Sequence, residues 1–104
     1  MLGRADSGFL ILNAKDNVAV AITELKVGTL IEIEHGQEQG ELRLLDDIPF
    51  GHKFALESIG VGETVVKYGQ EIGVATQAIA RGEHVHIHNL ESRRGRGDWE
   101  KPRR

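Results

Sequence analysis

The chain has 104 residues, 39% apolar, 5% aromatic and 28% charged, with thirteen Gly, two Pro and no Cys. That is enough for one domain with a modest core and too little for an enzyme with a cleft between two domains. The absence of cysteine excludes disulfides, thiolate nucleophiles, zinc knuckles and iron–sulfur clusters, and the longest apolar run (residues 18–22) is far short of the ~20 residues of a membrane span.

Charge is unevenly placed. Residues 1–92 carry seven Lys/Arg against fourteen Asp/Glu, whereas residues 93–104 carry six basic residues against two acidic ones. An acidic body argues against a nucleic-acid footprint. The start, Met1-Leu-Gly-Arg-Ala-Asp-Ser7, shows no apolar stretch after a basic one, so no secretory signal is read and a cytoplasmic location is expected. Three segments are expected: a flexible N-terminus (1–7), a folded domain (8–92) and a basic C-terminal tail (93–104).

In chain order, strands are predicted over residues 8–12, 17–22, 29–34, 41–45, 53–56, 63–67, 71–76 and 83–88. Alternation is clearest in Leu30-Ile-Glu-Ile-Glu34 and Val85-His-Ile-His88. Three stretches superimpose. Residues 20–28, 54–62 and 74–82 each run from an apolar residue and Ala, through a polar pair, to an aliphatic residue (Leu25, Ile59, Ile79). Each ends three positions later in Gly28, Gly62 or Gly82. The Ala-to-Ala offsets, 34 and 20 residues, are unequal, which excludes a solenoid of fixed period. The pattern reads as one strand–turn–Gly–strand unit used three times, with single helical turns expected at 23–25, 57–59 and 77–79. No segment keeps a helical period for three turns. A mostly β fold follows. In the tail, Trp99 among arginines suits an arm that docks on an acidic surface. The Arg96-Gly-Asp98 triplet is not read as an adhesion signal in a chain without an export signal.

Four features can carry chemistry. In Glu83-His-Val-His-Ile-His-Asn89, strand alternation would put His84, His86 and His88 on one face and send Val85 and Ile87 into the core. Neighbouring imidazoles on one face can share a divalent cation. Without Cys, such a set would be an open site needing further ligands from water or a partner. In Ile48-Pro-Phe-Gly-His-Lys-Phe54, a tight turn presents His52 and Lys53, an imidazole to move a proton and an ammonium to grip a carboxylate. Tyr68-Gly-Gln-Glu-Ile-Gly73 reads as a turn with two hydrogen-bonding side chains. Asp46-Asp47 reads as a solvated loop with a small chance of binding a cation, and His35 as loop surface. Each has a plain alternative as ordinary turn or surface.

Taken together and in order, Asp16-Asn-Val18, Ile48–Leu56, Val66–Gly73 and Ile79-Ala-Arg-Gly-Glu-His-Val-His-Ile-His-Asn89 resemble the small N-terminal domain of the altronate and galactarate dehydratases, of the SAF superfamily. The resemblance implies a β-clip fold. Residues 89–98 are closer to stand-alone small subunits such as the alpha subunit of sulfolactate sulfo-lyase, where a large subunit carries the rest of the enzyme. It further implies elimination of water, or sulfite, from a hydroxy acid with a divalent metal such as iron or manganese. On this chain the motifs fall on His52, Lys53, His84, His86, His88 and Asn89. The expected roles are His52 and Lys53 as catalytic, His86 and His88 with His84 as metal ligands, and Lys53 and Asn89 as substrate contacts. The expected partners are a large catalytic subunit and a sugar acid, with no nucleic acid and no membrane. A non-catalytic carbohydrate-binding or assembly module, or a homo-oligomer paired through β-edges, is the alternative.

Overall fold

A computed structural model describes residues 8–35 and 38–92, so the expectations for residues 1–7 and for the tail, Trp99 and the Arg96-Gly-Asp98 triplet included, lie outside the described residues. Nine strands follow one another: β1 (Phe9–Leu10), β2 (Val18–Ala21), β3 (Leu30–His35), β4 (Glu38–Arg43), β5 (Lys53–Ala55), β6 (Thr64–Lys67), β7 (Gln70–Ala75), β8 (His84–Val85) and β9 (Leu90–Ser92). They form a four-stranded sheet in the order β1-β2-β5-β8, a β3-β4 hairpin and a three-stranded sheet β6-β7-β9. Every pairing is antiparallel. The domain is mostly β, and among the described residues there is no helix, hence none long and apolar enough to cross a membrane.

Alternation along β2 and β5 divides the core. Ala19 stands opposite Phe54, and both pack with Phe9, Ile11, Ile31, Ile33, Leu42, Leu44 and Ile48 on one face. Val18 stands opposite Ala55, and these pack with Ile59, Val65, Ala75, Ile79 and Val85 on the other. The four-stranded sheet is therefore buried on both faces, which is why Val18-Ala-Val-Ala21 reads as a continuous apolar run rather than an alternating one. Phe9 and Phe54 meet edge to face, with centroids 5.9 Å apart.

The three segments expected as helical turns are bends instead. Leu25 closes a bridge with Ile48, and Ile59 one with Ile79, so each aliphatic is held by cross-chain hydrogen bonds rather than by a helical turn. A fourth segment, Ile48-Pro-Phe-Gly-His52, has the same hydrogen-bonded turn. Gly28, Gly51, Gly62 and Gly82 take φ of 86°, 83°, 83° and 89°, a region glycine enters without steric cost. The turns pair reciprocally. Gly28 N–H donates to Leu44 O while Gly51 N–H donates to Ala21 O; Gly62 N–H donates to Ala75 O while Gly82 N–H donates to Ala55 O.

Asp16 and Asn17 act at the joint between sheets. Asn17 donates through Nδ2 to Thr64 O at 2.9 Å and accepts at Oδ1 from Val66 N–H at 2.8 Å, at the point where the β6–β7 register shifts. Buried Asp16 accepts from Gly69 N–H at 2.8 Å and so braces the β6–β7 hairpin. That hairpin turns on Tyr68 (φ 57°) and Gly69 (φ 74°), the two-residue turn with positive φ at both positions. His35, expected in a loop, ends β3.

Candidate functional site

β5 and β8 run side by side with Phe54 opposite His84 and Lys53 opposite Val85. Cross-strand partners share a face, so His84 stands beside Phe54. The turn before β5 brings His52 to the same place, where its Nδ1 lies 2.8 Å from His84 Nε2. Lys53 takes the other face, with Val85 and Ala55. The histidine–lysine pair of the turn is thereby split across the sheet.

The expected strand over 83–88 stops at Val85, and this changes the reading of the histidines. Residues 86–89 form a turn closed by Asn89, and Ile87 is 84% exposed instead of entering the core. Alternation alone therefore does not align His84, His86 and His88; the turn curls the later two back. His86 stacks on His52 at 3.9 Å between centroids and lies 5.6 Å from His84. His88, exposed, sits 5.3 Å from His84 in a tilted arrangement. One nitrogen from each of His52, His84 and His86 falls within 4.8 Å of the others. Among the described residues this trio is the group of three or more His and carboxylate side chains that converges on one point. His88 is not part of it, and His52, read from the sequence as an acid–base residue, is.

At His84 and His86 the electrostatics favour neutral rings. Burial holds the His84 imidazole below the ordinary histidine range; His52, His88 and His86 push the same way, and Asp46 opposes them. His86 is lowered first by its burial and then by His52, Lys53 and His88. Burial also lowers the Lys53 ammonium, aided by Lys67. A neutral imidazole is the metal-binding form. Three imidazole donors on one patch suit a divalent cation whose remaining positions are open to water, substrate or a partner's ligands.

Backbone contacts explain other residues singled out from the sequence. Asp46 accepts from His84 N–H at 2.9 Å and Asp47 from Val27 N–H at 2.8 Å, so both carboxylates brace turns. Asn89, expected at the substrate, is 1% exposed and has its carboxamide engaged between His84 O and His86 N–H. In the two turns that carry His52 and His86, Phe50 is 72% exposed and Ile87 84% exposed.

Residues 7–93 match the model of the altronate/galactarate dehydratase SAF domain. The chain belongs to this family. As an SAF domain it is 43% identical over 84 residues to altronate dehydratase of Escherichia coli K12, covering 81% of this chain but 16% of that protein. Altronate dehydratase of Bacillus subtilis 168 is 38% identical over the same length, again 16% of that protein. The chain thus spans about a sixth of these relatives. By contrast, it covers 95% of the (2R)-sulfolactate sulfo-lyase subunit alpha of Chromohalobacter salexigens, at 35% identity over 89 residues. The SAF domain thus occurs as a small part of a long chain and as nearly the whole of a subunit.

Proposed function

We propose that this SAF domain is the small component of a lyase that removes water, or sulfite, from a hydroxy acid, and that a larger polypeptide of the same enzyme completes the site. The observation that carries the reading is the convergence of the half-buried His52, His84 and His86 on one point, in a domain whose relatives are named as altronate dehydratase and sulfolactate sulfo-lyase subunit alpha. The exposed Phe50 and Ile87, in the turns that carry His52 and His86, support a covering partner, since exposed large apolar side chains favour contact.

His52, His84 and His86 would hold a divalent cation such as iron or manganese, for the reasons of charge and convergence given above. A cation held there supplies Lewis acidity toward substrate oxygens. The reaction is a β-elimination: a C–H bond α to the carboxylate breaks, its electrons form the new double bond, and the β-substituent leaves with its bonding pair. Lys53 leaves β5 on the face away from His52 and His84, so the substrate carboxylate falls to the cation and to the larger polypeptide. His88 keeps a ring nitrogen free of the trio and moves a proton to or from the leaving group or α-carbon.

The test is reconstitution. The chain mixed with the larger polypeptide of its own enzyme should convert a sugar acid such as altronate, or sulfolactate, to a 2-oxo acid, whereas either component alone should not. Releasing water or sulfite tells the two leaving groups apart. Full activity from the larger polypeptide alone would end the proposal.

A further inference from the structure

Asn89 closes the turn that carries His86 and bonds back to His84 in β8, so it touches the backbone of two of the three converging histidines. Its Nδ2 donates to His84 O at 2.9 Å and its Oδ1 accepts from His86 N–H at 3.0 Å. Its own N–H donates to His86 O at 3.1 Å, and its carbonyl accepts from Thr76 N–H at 2.9 Å. The side chain therefore clamps the backbone on both sides of Val85, while the main-chain carbonyl ties the turn to Thr76, just past the end of β7. With 1% of its surface exposed, Asn89 exchanges none of these partners readily for water.

We propose that Asn89 is the positioning residue of the histidine trio, fixing the His84 and His86 backbones so that their rings meet His52 at one point. The proposal rests on the metal reading above and deepens it. Each imidazole moves with its own Cα. β8 is only two residues long at the edge of its sheet. Asp46 also holds His84 N–H and Gln77 Nε2 holds His88 O, but the Asn89 carboxamide is what joins His84 O to His86 N–H, and without it the spacing of the two rings is no longer fixed. A set of three ligands binds tightly only when its geometry is set in advance, and groups that orient metal ligands are worth roughly 10- to 100-fold in affinity.

The molecule contains its own control. Asn17 bridges two backbone groups with the same pair of carboxamide hydrogen bonds, to Thr64 O and Val66 N–H, but does so at the joint between β2 and β6. Loss of either carboxamide strips a buried backbone site of its partner, so both Asn89→Ala and Asn17→Ala should lower thermal stability. Only the first should move the metal site.

The experiment titrates the full chain with cobalt(II) alone, following its visible absorption and binding heat, with thermal unfolding measured in parallel. The wild-type chain is expected to bind one cobalt. Asn89→Ala should weaken that binding by roughly 10- to 100-fold in protein that is still folded. Asn89→Asp, which keeps an acceptor for His86 N–H but loses the donor to His84 O, should fall between the two. Asn17→Ala should bind within about twofold of wild type. If Asn89→Ala does not fold, Asn89→Asp decides, and wild-type affinity in that variant overturns the proposal. So does an equal loss in Asn89→Ala and Asn17→Ala, or no loss in the former. A wild-type chain that binds no cobalt refutes the metal reading itself, and the proposal with it.

Discussion

Nδ1 of His52 and Nε2 of His84 face each other at 2.8 Å across 32 positions of sequence. One of the two nitrogens must donate and the other accept, so this contact needs one protonated and one bare ring nitrogen. A pair that shares one proton at that distance is also a pair that can exchange it for a metal ion. His52→Ala or His84→Ala should therefore reduce divalent-cation affinity by at least about 100-fold, since one of three ligands is lost. The thermal midpoint of the metal-free protein should change little, because neither ring is part of the core. Isothermal titration with manganese(II) beside a thermal scan separates the two effects, and unchanged affinity in both variants would remove the trio from consideration.

Acid should weaken the metal-free protein. His84 and His86 have folded pKa values lowered chiefly by burial, whereas in the unfolded chain they take the ordinary value of about 6.5. As pH falls through that value the unfolded state binds protons first, and the equilibrium shifts toward it. Above about pH 6.5 these groups contribute no dependence; below it stability drops until the folded state is protonated as well. Denaturant midpoints at pH 7.5 and 5.5 should show the fall, and His84→Gln with His86→Gln should flatten it. A midpoint that rises toward pH 5.5 in wild type but not in the variant would contradict the shifts.

Two glycines with nearly equal φ should respond very differently to alanine. Gly28 (φ 86°) has open space where a Cβ would stand, while a Cβ on Gly82 (φ 89°) would run into the carbonyl oxygen of Arg43. Gly28→Ala meets only the backbone cost of that conformation, about 1 kcal/mol. Gly82→Ala adds a collision with backbone that cannot rotate aside, so its loss should exceed about 2 kcal/mol. Urea midpoints of the two variants measure the difference, and equal losses would mean that the Arg43 carbonyl yields easily.

If a larger polypeptide covers the trio, charge on its apolar rim should prevent the contact. Phe50→Asp and Ile87→Asp change side chains that are 72% and 84% exposed, so folding should be unaffected. Association with the larger polypeptide should weaken by roughly tenfold or more per substitution, as for a residue central to an interface. Analytical ultracentrifugation of the mixture reads this directly. Unaltered association in both variants would move the contact elsewhere on the surface.

Much of the fold was legible in the pattern of the chain. Every predicted strand overlaps an observed one, because alternation and Gly spacing report directly on a pleated backbone with tight turns. What escaped was set by side chains that replace backbone partners. The His-x-His-x-His run looks like one strand, yet Asn89 closes a turn behind it; the signal was a polar residue suited to backbone capping at its end, next to an Ile87 with no core to enter. β9 is three residues long and gave no separate pattern. The sequence marks a tight turn at residues 48–52 but not its kinship with the other three, although Ile48 and Gly51 have the same three-residue spacing as Leu25 and Gly28. Its disguise is local: Arg43 and Leu44 stand where the other turns have an apolar residue and Ala, while Asp46-Asp47 keep the polar or small pair. The convergence of His52 with His84 depends on the β5–β8 register, and pairing between distant strands is what one sequence encodes least openly.

That register has a mechanical corollary. β8 is a terminal strand held along only two residues, and the imidazoles that bracket it reach back to a residue 32 positions earlier. An ion bound there is a removable cross-link that closes a long loop and fastens a two-residue edge of the sheet, and such clips act most strongly on the entropy of the open chain. The same edge should then breathe when the ion is stripped away, so that amide exchange at Val85 and His86 becomes a gauge of metal loading that needs no substrate.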